Sequence, residues 1–377
     1  MQKMLSYNVR TAVPGLRQLP TMIDEMIPEV LITLDSMKNS NTGLHSFGRS
    51  LGNAIIKQNQ GRFDLSLYMY KKQKGYLGPD VKYVNYRNFH KLFFPSRRRF
   101  AIFHFADQYC RLSPVRVSGK KIMTVHDMNQ VHELEPESRE VLRYLKNLRA
   151  KIKASDKVVA ISNFVAADIA RHFPDAREKI SVIYNGTDCS FAPLHHLPAY
   201  RPDSPFLFTI GMLCPKKNFH VLVPLLQGNG MKLIISGIIN DDYKNKILSE
   251  AARFGVSERV IITGTICQAD KDWYYQNCEA FVFPSLAEGF GLPVIEAMRH
   301  GKPVFLSKYT SLPEIGGDAA YYFDNFDPAH MVDTFTNGMH HFQATNGVEA
   351  VLRNALKYTW GNAAHAYLDL YRHCMAA

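Results

Sequence analysis

Pro284-Ser285-Leu286-Ala287-Glu288-Gly289-Phe290-Gly291-Leu292-Pro293-Val294-Ile295-Glu296-Ala297-Met298 decides how the rest of this chain is read. The apolar run 279–284 before it reads as a buried parallel strand ending at the proline. A turn carrying Gly289 and Gly291 follows, and Pro293 suits the first turn of a helix, where its missing N–H costs nothing. The helix carries Glu296 and stops near Gly301, and 302–307 reads as the next strand. A strand–loop–helix–strand unit puts its loop at the carboxyl end of a strand, where open α/β sheets bind ligands. Glycines let backbone N–H groups approach a ligand, and the helix start favours an anion.

Glu288 and Glu296 bracket that anion site. Carboxylates beside a phosphate repel it, so they are better placed to accept hydrogen bonds from sugar hydroxyls. Phosphate donors with two hydroxyl acceptors suggest a sugar nucleotide. A bare pair of glutamates eight apart is usually only a solvated helix face, but the whole string, with its Glu-Gly-Phe-Gly-Leu-Pro core, resembles the E-x7-E signature of the family-four retaining glycosyltransferases of the GT-B fold.

The 377 residues suffice for two domains with real cores. Hydrophobic residues make up 46% and charged residues 21%, which excludes a disordered chain. The formal charge of +11, with pI ≈ 9.2, favours anionic partners such as nucleic acid, anionic lipid or an acidic glycolipid. Six scattered cysteines without a C-x2-C pair argue against zinc and fit a reduced, cytosolic setting. No apolar run approaches the roughly 20 residues that span a bilayer, and the N-terminus has no signal-peptide core.

Along the chain, residues 1–28 read as an extension of open role before a first strand, 29–34. A polar loop with Gly43 leads into a helix from Leu44. The resembled family carries a glycine here, facing the donor phosphate; a plain loop glycine reads equally well. Segments 63–70 and 100–105 read as strands. Leu92-Phe93-Phe94 beside Arg97, Arg98 and Arg99 suits an anionic membrane surface, or equally a solvated basic loop. The strand 121–125 runs into His126-Asp127. A packed histidine with a local bond is the plain reading, whereas the resemblance implies contact of His126 with the donor sugar and places Asp127 toward the acceptor. A helix is expected over 133–153, a strand over 157–161, and a helix over 164–172 capped at Ser162-Asn163. Ile183-Tyr184-Asn185-Gly186-Thr187-Asp188 resembles the family's segment closing the first domain, and 191–205 reads as a linker.

The second unit opens with a strand over 206–211, then Cys214-Pro215-Lys216-Lys217-Asn218. The family places an arginine and a lysine here to hold the diphosphate. Lys217 matches the lysine, but the arginine is absent: Met212 fills one of its usual places and Lys216 the other, giving charge without a planar fork. Strands follow over 231–237 and 260–263, with a helix over 240–254 between them. Gly264-Thr265-Ile266 matches the family's base-binding segment. Two helices are expected over 327–356. A last helix, 360–374, presents Tyr367, Leu370 and Tyr371 on one face; the resemblance implies that it crosses back to the first domain.

Strands alternating with helices argue for parallel sheets covered on both faces. The expected architecture is α/β, GT-B: two Rossmann-like domains with parallel sheets facing a central cleft. The expected boundaries are 1–190 for an acceptor-binding domain, 191–355 for a nucleotide-sugar domain and 356–377 for the crossing helix. The resemblance implies hexosyl transfer, with retention, from a UDP- or GDP-sugar to a saccharide or glycolipid acceptor, with neither cofactor nor metal and no nucleic-acid partner. The expected catalytic set is His126, Asp127, Glu288 and Lys217. The donor-binding set is Gly43, Lys216, Lys217, Gly264, Thr265, Ile266, Glu288, Gly289, Phe290, Gly291, Leu292 and Glu296. The basic first domain and the missing span fit a cytoplasmic enzyme peripheral to the inner membrane, and a lipid-linked saccharide, as in lipopolysaccharide, O-antigen or other surface polysaccharide assembly, is the expected acceptor. A polyanion-binding protein on an inactive scaffold, or a transferase using a soluble acceptor, are the alternatives.

Overall fold

Short apolar runs without polar alternation form the strands, as parallel sheets covered on both faces require. The computed structural model describes residues 27–38, 42–94, 100–188 and 190–376. Residues 1–26 of the expected extension and the Arg97, Arg98, Arg99 run lie outside the described residues.

The first half runs β1 (Glu29–Thr33), α1 (Gly43–Asn59), β2 (Asp64–Met69), β3 (Lys82–Asn85), β4 (Ile102–Phe105), β5 (Lys120–Val125), α2 (Asn129–Glu133), α3 (Arg139–Ala154), β6 (Lys157–Ala160), α4 (Asn163–His172) and β7 (Ile180–Val182). The second runs β8 (Phe206–Ile210), β9 (Lys232–Ser236), α5 (Asp241–Arg253), β10 (Val260–Gly264), α6 (Gln268–Asn277), β11 (Ala280–Phe283), α7 (Leu292–Arg299), β12 (Val304–Ser307), α8 (Leu312–Gly316), β13 (Tyr321–Phe323), α9 (Pro328–Ala344) and α10 (Gly347–Ala355), and α11 (Trp360–Ala376) follows. Among the described residues there are two sheets, every pairing in them parallel: β3-β2-β1-β4-β5-β6-β7 and β10-β9-β8-β11-β12-β13. In each, the chain starts near the middle, winds to one edge, then returns beside its first strand. That reversal leaves a crevice between β1 and β4 in one sheet and between β8 and β11 in the other, where ligands of open α/β sheets bind.

One expectation is corrected and one strand was not foreseen. The helix expected over 133–153 starts later, as α3 from Arg139, and the short helix α2 ends where it was expected to begin. Pro136 disfavours helix at the residue before it, and the Ser138 hydroxyl then caps α3 by accepting from the Val141 N–H at 3.3 Å. The strand β3, four residues at a sheet edge and none of them buried, had no apolar run to betray it.

The last helix does return to the first half. The α11 residues Tyr367 and Tyr371 are buried, their hydroxyls bonded to Thr124 Oγ1 at 2.9 Å and His104 Nδ1 at 2.6 Å. Burial, helped by His126, pushes His104 down to about 3, so its imidazole is neutral. Gly186 marks the crossing: a Cβ there would sit 2.0 Å from the Trp360 nitrogen. The close approach of two backbones, rather than any ligand, demands glycine at that position.

Candidate active site in the cleft

The loop after β8 folds as one 3-10 turn, Pro215–Lys217. Three residues per turn send neighbouring side chains about 120° apart, and the two lysines diverge accordingly. Lys217 turns inward, with Nζ 2.5 Å from Glu288 Oε1 and 4.8 Å from the centre of the Phe283 ring. Lys216 turns across the cleft, with Nζ 2.9 Å from Glu133 Oε1 on α2. Burial alone would lower the Lys216 pKa, but the Glu133 bond, with Glu288 and Asp127 nearby, holds it above its ordinary value. It is therefore a paired cation and not a solvated one.

The signature loop between β11 and α7 is fixed from three sides. Ser285 Oγ donates to Glu288 Oε1 at 2.6 Å. The Thr310 hydroxyl accepts from the Glu288 N–H at 2.9 Å, and the Ser311 hydroxyl reaches the carbonyls of Glu288 and Phe290, both at 2.9 Å. The side chain of Phe290, named among the donor-binding residues, is core: it is 3% exposed and packs against Tyr184 and Tyr358. Only its backbone can serve a ligand. Among the described residues nothing accepts from the N–H groups of Gly289, Phe290, Gly291 and Leu292. Gly291 caps α7 at φ +109°, and the leading turn of α7 adds a partial positive charge.

Glu296 lies on α7, one oxygen accepting from Lys271 Nζ at 2.8 Å and the other from the Tyr275 hydroxyl at 2.9 Å. Burial and the adjacent carboxylate push the Tyr275 phenol well up, so it stays a donor. Each carboxylate oxygen keeps a second lone pair for a further hydroxyl. Gly264 ends β10 and Thr265 and Ile266 follow it; Thr265 is exposed, and the Ile266 side chain packs against the core.

Across the cleft, His126 ends β5. Its Nε2–H donates to the Ala106 carbonyl at 2.9 Å, and its ring packs edge-on against Phe47 with centroids 4.3 Å apart. The plain reading, a packed histidine with a local bond, is what the structure holds. The bond fixes the tautomer and leaves Nδ1 as an acceptor. Gln108 ties this wall together: its Oε1 accepts from the His126 N–H and its Nε2 donates to the Asp127 carbonyl, both at 3.0 Å. Asp127 itself caps the next turn, Oδ1 accepting from Asn129 N–H at 3.1 Å. Gly43 is the first residue of α1; among the described residues a Cβ there would meet nothing within 4 Å, so they give no steric reason for glycine at that position.

The two walls touch at Gly289. A Cβ there would lie 1.9 Å from the His126 carbonyl oxygen. Beside it the Ser162 hydroxyl donates to the Gly289 carbonyl at 2.7 Å. Glu314 on α8 accepts from the N–H groups of Asn163 and Phe164 at the start of α4 and from the Tyr184 hydroxyl. Sequence reading missed these closing contacts, together with Gln108, Glu133, Lys271 and Tyr275. The capping signal at Ser162-Asn163 was the nearest hint. Among the described residues one set could hold a metal ion: His196, Cys267 and Asp270. It lies at the linker and the start of α6, outside the cleft. No described helix is long and apolar enough to cross a membrane.

Comparison with known proteins adds independent information. The model of the family described as "Glycosyl transferases group 1" matches residues 198–340, and that of "Glycosyltransferase Family 4" matches 71–191. The chain is 27% identical over 274 residues to a serotype-specific mannosyltransferase WbdA of Escherichia coli, covering 67% of this chain and 33% of that protein. It therefore spans about a third of the length of those relatives. It is 26% identical to the O-antigen chain mannosyltransferase B of Escherichia coli, covering 67% of this chain and 70% of that protein. Among solved structures, Alr3699/HepE of Anabaena in complex with UDP and glucose superposes with a TM-score of 0.69 at 17% identity, covering 92% of this chain and all of that one. The sucrose-phosphate synthase of Thermosynechococcus elongatus superposes with a TM-score of 0.70 at 18% identity, covering 93% and 99%.

Proposed function

We propose a reaction from one premise: the chain belongs to the family-four glycosyltransferases of the GT-B fold, whose two family descriptions match its two halves in turn. It transfers a hexosyl group, of mannosyl or glucosyl/galactosyl type, from a nucleoside diphosphate sugar to a saccharide hydroxyl with retention. The acceptor is a lipid-linked glycan in the assembly of a surface polysaccharide such as an O antigen. Relatives named as O-antigen mannosyltransferases support that choice. The enzyme works in the cytoplasm, peripherally at an anionic membrane face.

The observation that carries this reading is the Lys217–Glu288 pair in the same loop region as four amides without a partner among the described residues, at the β8/β11 crevice. The leaving diphosphate gains charge as the glycosidic bond breaks. Lys217, the amides of 289–292 and the start of α7 meet that charge where it develops, without a metal. Glu296 takes the ribose hydroxyls, Gly264 to Ile266 the base through their backbone, and Glu288 and His126 Nδ1 the hydroxyls of the sugar. Glu288 Oε1 already accepts from an ammonium and a hydroxyl, so that oxygen serves as an acceptor of hydrogen bonds. Retention then proceeds by front-face attack, with the departing phosphate receiving the acceptor's proton.

The test is hydrolysis of a panel of UDP- and GDP-hexoses without acceptor. Release of nucleoside diphosphate from a restricted set of donors, lost in Lys217→Ala, is the expected result. No release and no nucleotide binding across the panel would favour a polyanion-binding scaffold instead.

A further inference from the structure

A cavity of ≈ 570 Å³ opens in the first half between the loop after β4, α2 and α3. Its volume is within the roughly 300–1,000 Å³ of small-molecule sites. Gln108, Tyr144 and Leu148 form its buried part, while Tyr109 and Leu134, 48% and 40% exposed, form an apolar rim. Gln130 and Asn147 add two side-chain amides.

This lining has a definite chemical preference. A sugar hydroxyl both donates and accepts, and a carboxamide offers both functions on one group. An aromatic ring beside an aliphatic side chain suits the C–H face of a pyranose. The charged groups are less suited to an anion: Lys151 Nζ donates to the Gln108 carbonyl at 2.5 Å, and Arg143 shares the wall with Glu140. A phosphate would need cations free to turn toward it.

The cavity also adjoins the cleft through shared residues. Gln108, part of its wall, bonds His126 N–H and the Asp127 carbonyl. The Tyr144 hydroxyl donates to that same carbonyl at 3.1 Å. Burial, then the Asp127 carboxylate, push the Tyr109 phenol up, so it stays a protonated donor. On α2, Gln130 belongs to the cavity while Glu133, one turn on, holds Lys216 across the cleft.

We propose that this cavity binds a neutral pyranose unit of the acceptor saccharide, with Tyr109, Gln130 and Asn147 setting which sugar is accepted. The inference rests on the transferase reading above and adds where, and by what chemistry, the acceptor is read.

The test uses the full chain with methyl α-glycosides of mannose, glucose and galactose, observed by saturation-transfer NMR, and parallel titration with UDP and GDP. Asn147→Trp fills the cavity from an exposed position on α3. At least one glycoside should bind the parent, and Asn147→Trp should weaken it fivefold or more while nucleotide affinity stays within twofold. If Asn147→Trp does not fold, Tyr109→Ala decides by the same criterion. Glycoside binding unchanged in the folded variant, or absent in a parent that binds nucleotide, overturns the cavity's role. Absence of nucleotide binding in the parent would instead remove the transferase reading beneath it.

Discussion

Glu288 and His126 belong to opposite walls of one cleft that touch at Gly289, yet the groups that hold them differ in kind. Glu288 is held by an ammonium, Lys217, and lies in a loop whose amides 289–292 have no acceptor among the described residues. His126 is held by a carbonyl, the amide of Gln108 and a phenyl ring, and the surroundings continue with Tyr109, Gln130, Tyr144 and Asn147. One wall works by charge, where a single group facing a developing anion counts for several kcal/mol. Around His126 the other holds its groups by neutral hydrogen bonds of about 0.5–1.5 kcal/mol each, with its charged groups such as Glu133 paired elsewhere. The comparison teaches that single substitutions should be severe on the second half's wall and mild on the first half's.

Lys217→Ala is the sharpest way to break it. Turnover at saturating donor should fall about 10²–10³-fold, as on losing one oxyanion donor. A variant within a few-fold of the parent would show that the diphosphate does not sit on this loop. Glu296→Ala comes next. Losing hydrogen bonds from a carboxylate to two hydroxyls should weaken nucleoside diphosphate binding by roughly 1.5–3 kcal/mol. Unchanged affinity by calorimetry, in a folded variant, would deny it the ribose.

The first half carries one buried charge problem of its own. Asp35, just past β1, is 4% exposed, and among the described residues its Oδ1 has no partner. Burial, with Asp107 adding, raises its pKa from 3.8 to about 6, against the Arg111 N–H bond. The folded chain thus keeps this proton to about pH 6 and the unfolded chain only to about 3.8. Between those values the folded state binds more protons, so stability falls as pH rises and the penalty is complete above the folded pKa. Asp35→Asn should remove it, gaining up to about 3 kcal/mol at pH 7.5 and little at pH 4. Urea unfolding at both pH values checks this; a gain independent of pH would contradict the assignment.

The smallest expected effect lies where the walls meet. Glu133→Gln releases Lys216 from a partly exposed pair, worth about 0–1 kcal/mol. Freed, Lys216 should raise nucleoside diphosphate affinity by up to about fivefold at low salt and less at high salt. Lower affinity would mean that Glu133 positions Lys216 for the phosphate and does not compete with it.

Reading the chain alone succeeded where the signal was local. The strand before Pro284, the turn, and the helix with Glu296 follow from an apolar run, two glycines and one proline, each acting on its own backbone within a few residues. The same reading passed over β3, whose four residues at an edge are stabilised by β2 and not by their own composition. It started α3 six residues early, at Glu133, because charge and leucine keep a helical rhythm across Pro136, and it missed the short α2. It placed Lys216 at the diphosphate in the arginine's stead, since nothing near Lys216 in sequence shows that Glu133 will arrive to pair with it.

Amino-acid order alone determined the alternation of strand and helix, the parallel sheets and the line of residues at their carboxyl ends, because backbone sterics and two-sided burial act on each segment separately. Only the docked structure decided which of those residues meet. The pairs that close the cleft, Lys216–Glu133, Ser162–Gly289 and Glu314–Asn163, are separated by 83, 127 and 151 residues. Their geometry depends on how two separately wound sheets come together, with Gly289 admitting the His126 carbonyl at contact distance and α11 returning to clasp the first sheet.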